Sequence, residues 1–288
     1  VEILRGPQGT LFGKNTVSGA INLVTKAPGA ETEAEFAATY GNEGQTRLQV
    51  YLSGGLTDTL FASVALTFDE RDGFYDNIFL GTETGGYDRT AARAKLRWEA
   101  SEQLEATLSF DYSQRDSTEP AGVEASQPAF VSRANFEAQD EVEFWGTALR
   151  VNYALPNDYE LVSITAYRDA EFFFLGDDDM TPARIQTTQF DEFNKQFTQE
   201  IRIQSPQDRD LTWLAGLYYY DSERTTGRFA RFDEDLYNLL VPALAPFASA
   251  LSGRGEVPSQ LDHTSYAAFF HADWALSDAL SVTFGLRY

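Results

Sequence analysis

The chain has 288 residues, with 22 Lys and Arg against 44 Asp and Glu, a formal charge of −22, and no cysteine. A disulfide scaffold and a cysteine-based zinc site are therefore excluded, and a chain this acidic is a poor partner for nucleic-acid phosphates. Its 22 Phe, 14 Tyr and 4 Trp are too many for an intrinsically disordered chain.

The chain opens at Val1, with no basic stretch ahead of an apolar one, so no secretory signal is visible and a piece of a longer protein is expected. Residues 1–26 read VEILRGPQGTLFGKNTVSGAINLVTK: a short apolar run, a glycine-rich stretch, then a second run over 20–25. Gly6, Gly9, Gly13 and Gly19 suit tight turns and backbone at positive φ. A phosphate loop fails twice, because Gln8 stands at its first glycine and Asn15 follows Lys14.

From Glu33 onward, apolar and polar residues alternate with period two, the mark of strands with one apolar face. Eleven such runs lie near 33–41, 45–54, 59–69, 89–99, 103–113, 143–155, 160–172, 192–204, 211–222, 264–276 and 279–288. In the fifth, Leu104, Ala106, Leu108, Phe110 and Tyr112 oppose Glu105, Thr107, Ser109 and Asp111. The run at 160–172 is apolar on both faces. Short turns near 55–59, 100–102, 156–158, 205–210 and 277–278 alternate with long loops near 70–88, 114–142, 173–191 and 223–263; the first loop, 41–44, is short. The most apolar window, 236–251, is broken by Pro242 and Pro246 and falls short of the roughly 20 residues of a spanning helix. A short helix inside the longest loop is expected there.

Alternation fits a soluble sandwich with its apolar face inward and an outer-membrane barrel with that face toward lipid. Strand length, one-sided long loops and aromatics near strand ends (Tyr40, Phe68, Trp98, Tyr112, Trp145, Tyr153, Trp213, Tyr219, Trp274) favour the barrel. The expected fold is all-β: an antiparallel transmembrane outer-membrane β-barrel.

The opening stretch resembles the end of the plug domain of TonB-dependent outer-membrane receptors. The resemblance is carried by Val1 to Gly9, by Leu11 to Asn15, by Gly19, Ala20, Ile21 and Asn22, and by Val24, Thr25 and Lys26. Weaker echoes lie at 71–77, 163–168 and 199–205. It implies a plug signature at Arg5, Gly6, Pro7, Gly9, Gly13, Gly19 and Asn22, with residues 1–30 the C-terminal part of a plug and 31–288 the N-terminal half of a 22-stranded barrel. The odd strand count agrees with a partial barrel. A complete small barrel is the alternative, because the end at 284–288 alternates and finishes on an aromatic. The function implied is active import of a scarce ligand, by default a ferric siderophore, with cobalamin, haem or an oligosaccharide as alternatives. The implied partners are the TonB-ExbB-ExbD energy-coupling complex, outer-membrane lipid and lipopolysaccharide. No cofactor is expected. A passive porin and a soluble β-sandwich adhesin are the competing classes.

Arg5 matches the family arginine that pairs with glutamates on the barrel wall; an ordinary solvated position is the other reading. Glu200 and Arg202 fall on the polar side of their run, either touching the plug or pairing with neighbouring strands. Arg93, Lys95 and Arg97 form a second inward row that attracts an anionic ligand or balances Glu105 and Asp111. Asp177, Asp178 and Asp179 lack the spacing of a calcium loop and read as solvated loop charge. His263 and His271, eight residues apart and so about 27 Å apart along a strand, do not share a metal. No nucleophile–base spacing marks an enzyme.

Overall fold

The computed structural model describes residues 1–6, 9–13, 16, 18–118 and 127–288. The N-terminal segment holds β1 (Glu2–Arg5), a single helical turn at Gly9–Phe12, and β2 (Gly19–Asn22), with β1 and β2 antiparallel. Then come β3 (Glu33–Tyr40), β4 (Thr46–Gly55), β5 (Leu60–Arg71), the short β6 (Tyr75–Asn77) and β7 (Thr82–Thr84), and β8 (Tyr87–Glu99). They are followed by β9 (Leu104–Thr118), the two-residue β10 (Val131–Ser132), β11 (Gln139–Ala154) and β12 (Glu160–Asp177). The chain ends with β13 (Gln186–Gln204), β14 (Leu211–Phe232), β15 (Gly253–Ser277) and β16 (Leu280–Arg287).

One 11-stranded sheet runs β3-β4-β5-β8-β9-β11-β12-β13-β14-β15-β16, every neighbour antiparallel, with β3 and β16 at its edges. Each alternating run of the sequence is a strand of this sheet. The register lines up the apolar faces: Leu66 opposes Ala92, Tyr112 opposes both Ala92 and Trp145, and Leu108 opposes Leu149. Among the described residues, no second sheet of comparable size covers that face. Leu217 stays 64 % exposed and Phe284 56 %, whereas the buried Phe61, Val162 and Phe269 lie on the opposite face. A long wall with its apolar side outward is the reverse of a soluble sandwich and suits lipid.

Two aromatic belts border the outer face. Trp145 meets Tyr167 at 5.3 Å, Phe197 meets Tyr219 at 6.1 Å, and Tyr219 meets Tyr266 at 5.1 Å. Nearer the short turns, Tyr159 meets Trp213 at 5.9 Å, Trp213 stacks on Phe270 at 6.2 Å, and Phe270 meets Phe284 at 6.2 Å. On β11, Trp145 and Tyr153 are about 27 Å apart along the strand, which strand tilt reduces to about the height of an outer-membrane apolar band. Within the band, Ser163, Thr165 and Gln199 are polar yet outward. The Gln199 amide donates to Ser163 Oγ at 3.0 Å and accepts from Thr165 Oγ1 at 2.5 Å, so the cluster satisfies itself. The 160–172 run reads ambiguously because these polar groups face outward while Val162, Ile164 and Ala166 are apolar on the inner face.

The long loops differ from expectation. Three pairs of strands continue past the membrane as projecting hairpins, so that 178–185 and 233–252 are what remains of two of the loops. Outside lipid both faces meet water, so alternation disappears while backbone pairing persists, as between Thr187 and Arg231 or Thr226 and Ser259. A further small sheet forms from β6, β7 and β10, with β6 and β10 parallel. The 236–251 window folds into short helical turns at Leu236–Leu240, Pro242–Phe247 and Ala248–Leu251.

Candidate functional site

The N-terminal segment is built around a glycine. Gly19 adopts φ +137°, and a Cβ there would sit 2.3 Å from the Leu4 carbonyl oxygen, so only glycine lets β2 close on β1. Gly6 and Gly13 also take positive φ, whereas Gly9 does not and instead opens the helical turn. Arg5 ends β1 opposite Gly19, and the Asn22 amide donates to the Glu2 carboxylate at 2.8 Å. Pro7 lies outside the described residues.

The segment meets the inner face of the sheet at β16 and at β8. Arg287 on β16 lies over the rings of Tyr218 and Phe269, at 5.3 Å from each, and donates to the Thr10 carbonyl at 3.4 Å. Gly285 leaves room for Thr10, whose Oγ1 is 2.9 Å from where a Cβ would stand. On β8, Lys95 Nζ donates to the carbonyls of Thr25 at 3.0 Å and Lys26 at 3.2 Å, and Arg97 Nη1 donates to the Pro28 carbonyl at 3.2 Å. Arg97 is braced by Glu105 at 2.8 Å and by Glu99, and lies 5.4 Å from the Phe61 ring. Arg93 points to the same side and stays exposed.

The register explains the row. Arg93 opposes Asp111, Asp111 opposes Gly146, and Gly146 opposes Arg168. Because Gly146 has no side chain, Arg168 reaches across β11 to Asp111 at 3.3 Å. Glu200 and Arg202 also face inward, but they pair with each other along β13 at 3.0 Å rather than with a neighbouring strand. Arg202 Nε is buried without a hydrogen-bond partner.

The acidic run is solvated loop charge only in part: Asp178 is exposed, but Asp177 is buried and Asp179 half-buried. Asp177 is 1 % exposed, and its carboxylate accepts N–H groups from Asn135 at 3.2 Å, Asp179 at 3.2 Å and Met180 at 3.0 Å. Burial, reinforced by the nearby Asp179 charge, raises its pKa above the usual carboxylate range. Asp179 in turn accepts from the Thr181, Ile185 and Gln186 amides at 3.1, 3.1 and 3.2 Å. These two side chains shape the turn, which their spacing alone did not announce. Among the described residues, no group of three or more His, Cys, Asp or Glu is arranged to hold a metal ion. His263 packs against Tyr220 at 5.5 Å and His271 contacts Asp273 at 3.0 Å, so the two act apart.

No family model matches the chain. The pesticin receptor of Yersinia pestis is 36 % identical over 99 residues, which is 34 % of this chain and 15 % of that protein. The vitamin B12 transporter BtuB of Photobacterium profundum is 31 % identical over 74 residues, 26 % of this chain and 12 % of that protein. Among solved structures, the ferric yersiniabactin uptake receptor FyuA of Yersinia pestis superposes with a TM-score of 0.78 at 20 % identity, covering 99 % of this chain and 43 % of that one. The chain thus spans well under two thirds of the proteins it matches, and these relatives are receptors and transporters rather than enzymes. An apolar-outside antiparallel wall, a glycine-rich segment against its inner face and these likenesses together make the chain similar to the TonB-dependent receptors of the Gram-negative outer membrane, with its sheet folded like a portion of their barrel.

Proposed function

We propose that the protein imports a scarce ligand across the outer membrane, by default a ferric siderophore, using energy delivered by the TonB-ExbB-ExbD complex to chain outside this stretch. Residues 1–30 serve as the C-terminal part of a plug and 31–288 as the N-terminal half of the barrel. The observation that carries this reading is that the N-terminal segment lies against the inner wall, held by Lys95, Arg97 and Arg287. An occupied lumen weighs against a passive porin. The exposed apolar wall weighs against a soluble adhesin.

The ligand class draws support from the names of the relatives, a pesticin receptor and a ferric yersiniabactin uptake receptor. The vitamin B12 transporter among them supports cobalamin as the second reading, ahead of haem or an oligosaccharide. Arg5, Gly6, Pro7, Gly9, Gly13, Gly19 and Asn22 make up the plug signature, with Arg5 a contact to wall glutamates. Glu200 and Arg202 are candidate wall contacts for the plug. The acidic projecting hairpins face lipopolysaccharide through bridging divalent ions.

The test is uptake by cells carrying or lacking the full-length gene. Iron-55 on catecholate, hydroxamate and phenolate chelators, and cobalt-57 cobalamin, are supplied with and without a protonophore. Uptake of one chelate that needs both the gene and the proton gradient is expected. Uptake that survives the protonophore would overturn the active-import reading, and gene-dependent entry of cobalamin alone would replace the siderophore.

A further inference from the structure

The stretch between the N-terminal segment and the first wall strand touches the wall at several points between Thr25 and Thr32. Pro28 is fully buried although it lies in no helix or strand. Gly54 and Gly55 at the end of β4 leave the space that Thr32 and Ala30 occupy, with Thr32 Oγ1 3.2 Å and the Ala30 carbonyl oxygen 3.5 Å from where Cβ atoms would stand. Lys26 pairs with Glu33 at the start of β3. Above these contacts, two cations from one strand take three main-chain carbonyls within four residues, those of Thr25, Lys26 and Pro28.

Main-chain acceptors matter here. A side-chain pairing fixes one residue, whereas cations on successive carbonyls hold the path of the backbone itself, through charge-assisted bonds stronger than neutral ones. Arg97 cannot swing away cheaply, since Glu105 and Glu99 hold its guanidinium in place. The earlier segment meets β16 differently, with Arg287 donating to the Thr10 carbonyl at 3.4 Å and Gly285 leaving room for the Thr10 side chain.

We propose that Lys95 and Arg97 are positioning residues: a clamp that keeps the backbone at 25–28 fixed on the inner wall and makes this point the boundary beyond which the N-terminal segment moves. The clamp stands on this geometry alone; its purpose, to confine rearrangement during import to the chain before Thr25, rests on the transport reading above.

The test uses the purified full-length receptor in detergent, freed of any other thiol, with one nitroxide label at Ala27→Cys or at Ile3→Cys; both positions are exposed. Urea is raised while the spectral width of each label is followed, and heat-modifiable migration reports that the wall is still folded. In the parent receptor the label at 3 is expected to become mobile first, while the label at 27 stays broad until the wall itself unfolds. In the Lys95→Gln/Arg97→Gln variant both labels are expected to mobilise together at low urea, with amide exchange over 25–29 at least about tenfold faster. The Lys95→Arg/Arg97→Lys variant is expected to restore the separation. Coincident midpoints in the parent, or a separation that persists in the glutamine variant with the wall folded, would overturn the clamp. No ligand enters this experiment, so failure of the import reading leaves its outcome unaffected.

Discussion

The backbone N–H of Asn135 donates to the Asp177 carboxylate at 3.2 Å, and the Asn135 amide donates to the Ala183 carbonyl at 2.7 Å, so two connections far apart in the chain share one fastening. The Asn77 amide extends it, donating to the Ala134 carbonyl at 3.0 Å, and the Arg184 N–H reaches the Asp235 carboxylate at 2.9 Å. The long connections therefore form a joined layer over one end of the wall instead of independent loops.

Substitution at Asp177 separates the local and the inter-loop parts of this fastening. Asp177→Ala leaves three half-buried N–H groups without this acceptor and is expected to cost about 1–3 kcal/mol of local stability. Asp177→Asn keeps an oxygen for the Asp179 and Met180 amides but turns a donor toward Asn135, so it should loosen 131–138 while 178–185 holds. Hydrogen exchange of the two segments in the full-length receptor distinguishes them; equal loosening of both by the asparagine variant would refute the division of roles.

The raised pKa of Asp177, ten residues beyond the Tyr167 aromatic belt, also sets a sign. The folded layer holds this proton at higher pH than the unfolded chain does, so the group's contribution falls as pH rises from the ordinary carboxylate range through its raised value, and is flat above. Proteolysis of the 178–185 turn between pH 3 and 7 should therefore show the asparagine variant losing this component. An unchanged difference between parent and variant across that range would rule it out.

Gly19→Ala should open the β1–β2 hairpin without disturbing the wall. An alanine there carries left-handed strain and a Cβ 2.3 Å from the Leu4 carbonyl, together costing about 1–3 kcal/mol or more. Limited proteolysis is expected to cut residues 1–22 faster while heat-modifiable migration stays the same. A protected N-terminal segment would show that the hairpin does not depend on glycine.

Adjacent positions on β11 should answer oppositely to charge. Leu149 is outward, midway between Trp145 and Tyr153, and Leu149→Arg is expected to destabilise the receptor in liposomes by about 2–4 kcal/mol. Arg150 already stands inward beside Asn152, its Nε 2.9 Å from the amide oxygen, and Arg150→Gln should change stability by less than about 1 kcal/mol. Urea unfolding of both variants measures the contrast; comparable losses would mean that the faces are misassigned.

What the sequence determined by itself is whatever obeys a local rule. Period-two alternation fixed eleven strands and their outward faces, because Leu104 to Tyr112 or Leu280 to Leu286 can turn only one side to lipid once the strand forms. The glycine-rich opening carried its resemblance in residue types and spacing. Tertiary structure alone decided the rest, since it depends on register between strands. The ion pair of Asp111 with Arg168 exists because Gly146 lies between them on a third strand. The projecting hairpins continue where alternation stops, because backbone pairing in water needs no apolar face. Asp177 became a buried fastening because Asn135, forty-two positions away, was brought to it. Likewise nothing in the spacing of Lys95 and Arg97 names Thr25, Lys26 and Pro28 as their partners; only the path of the linker across the wall brings main-chain oxygens within reach of those cations.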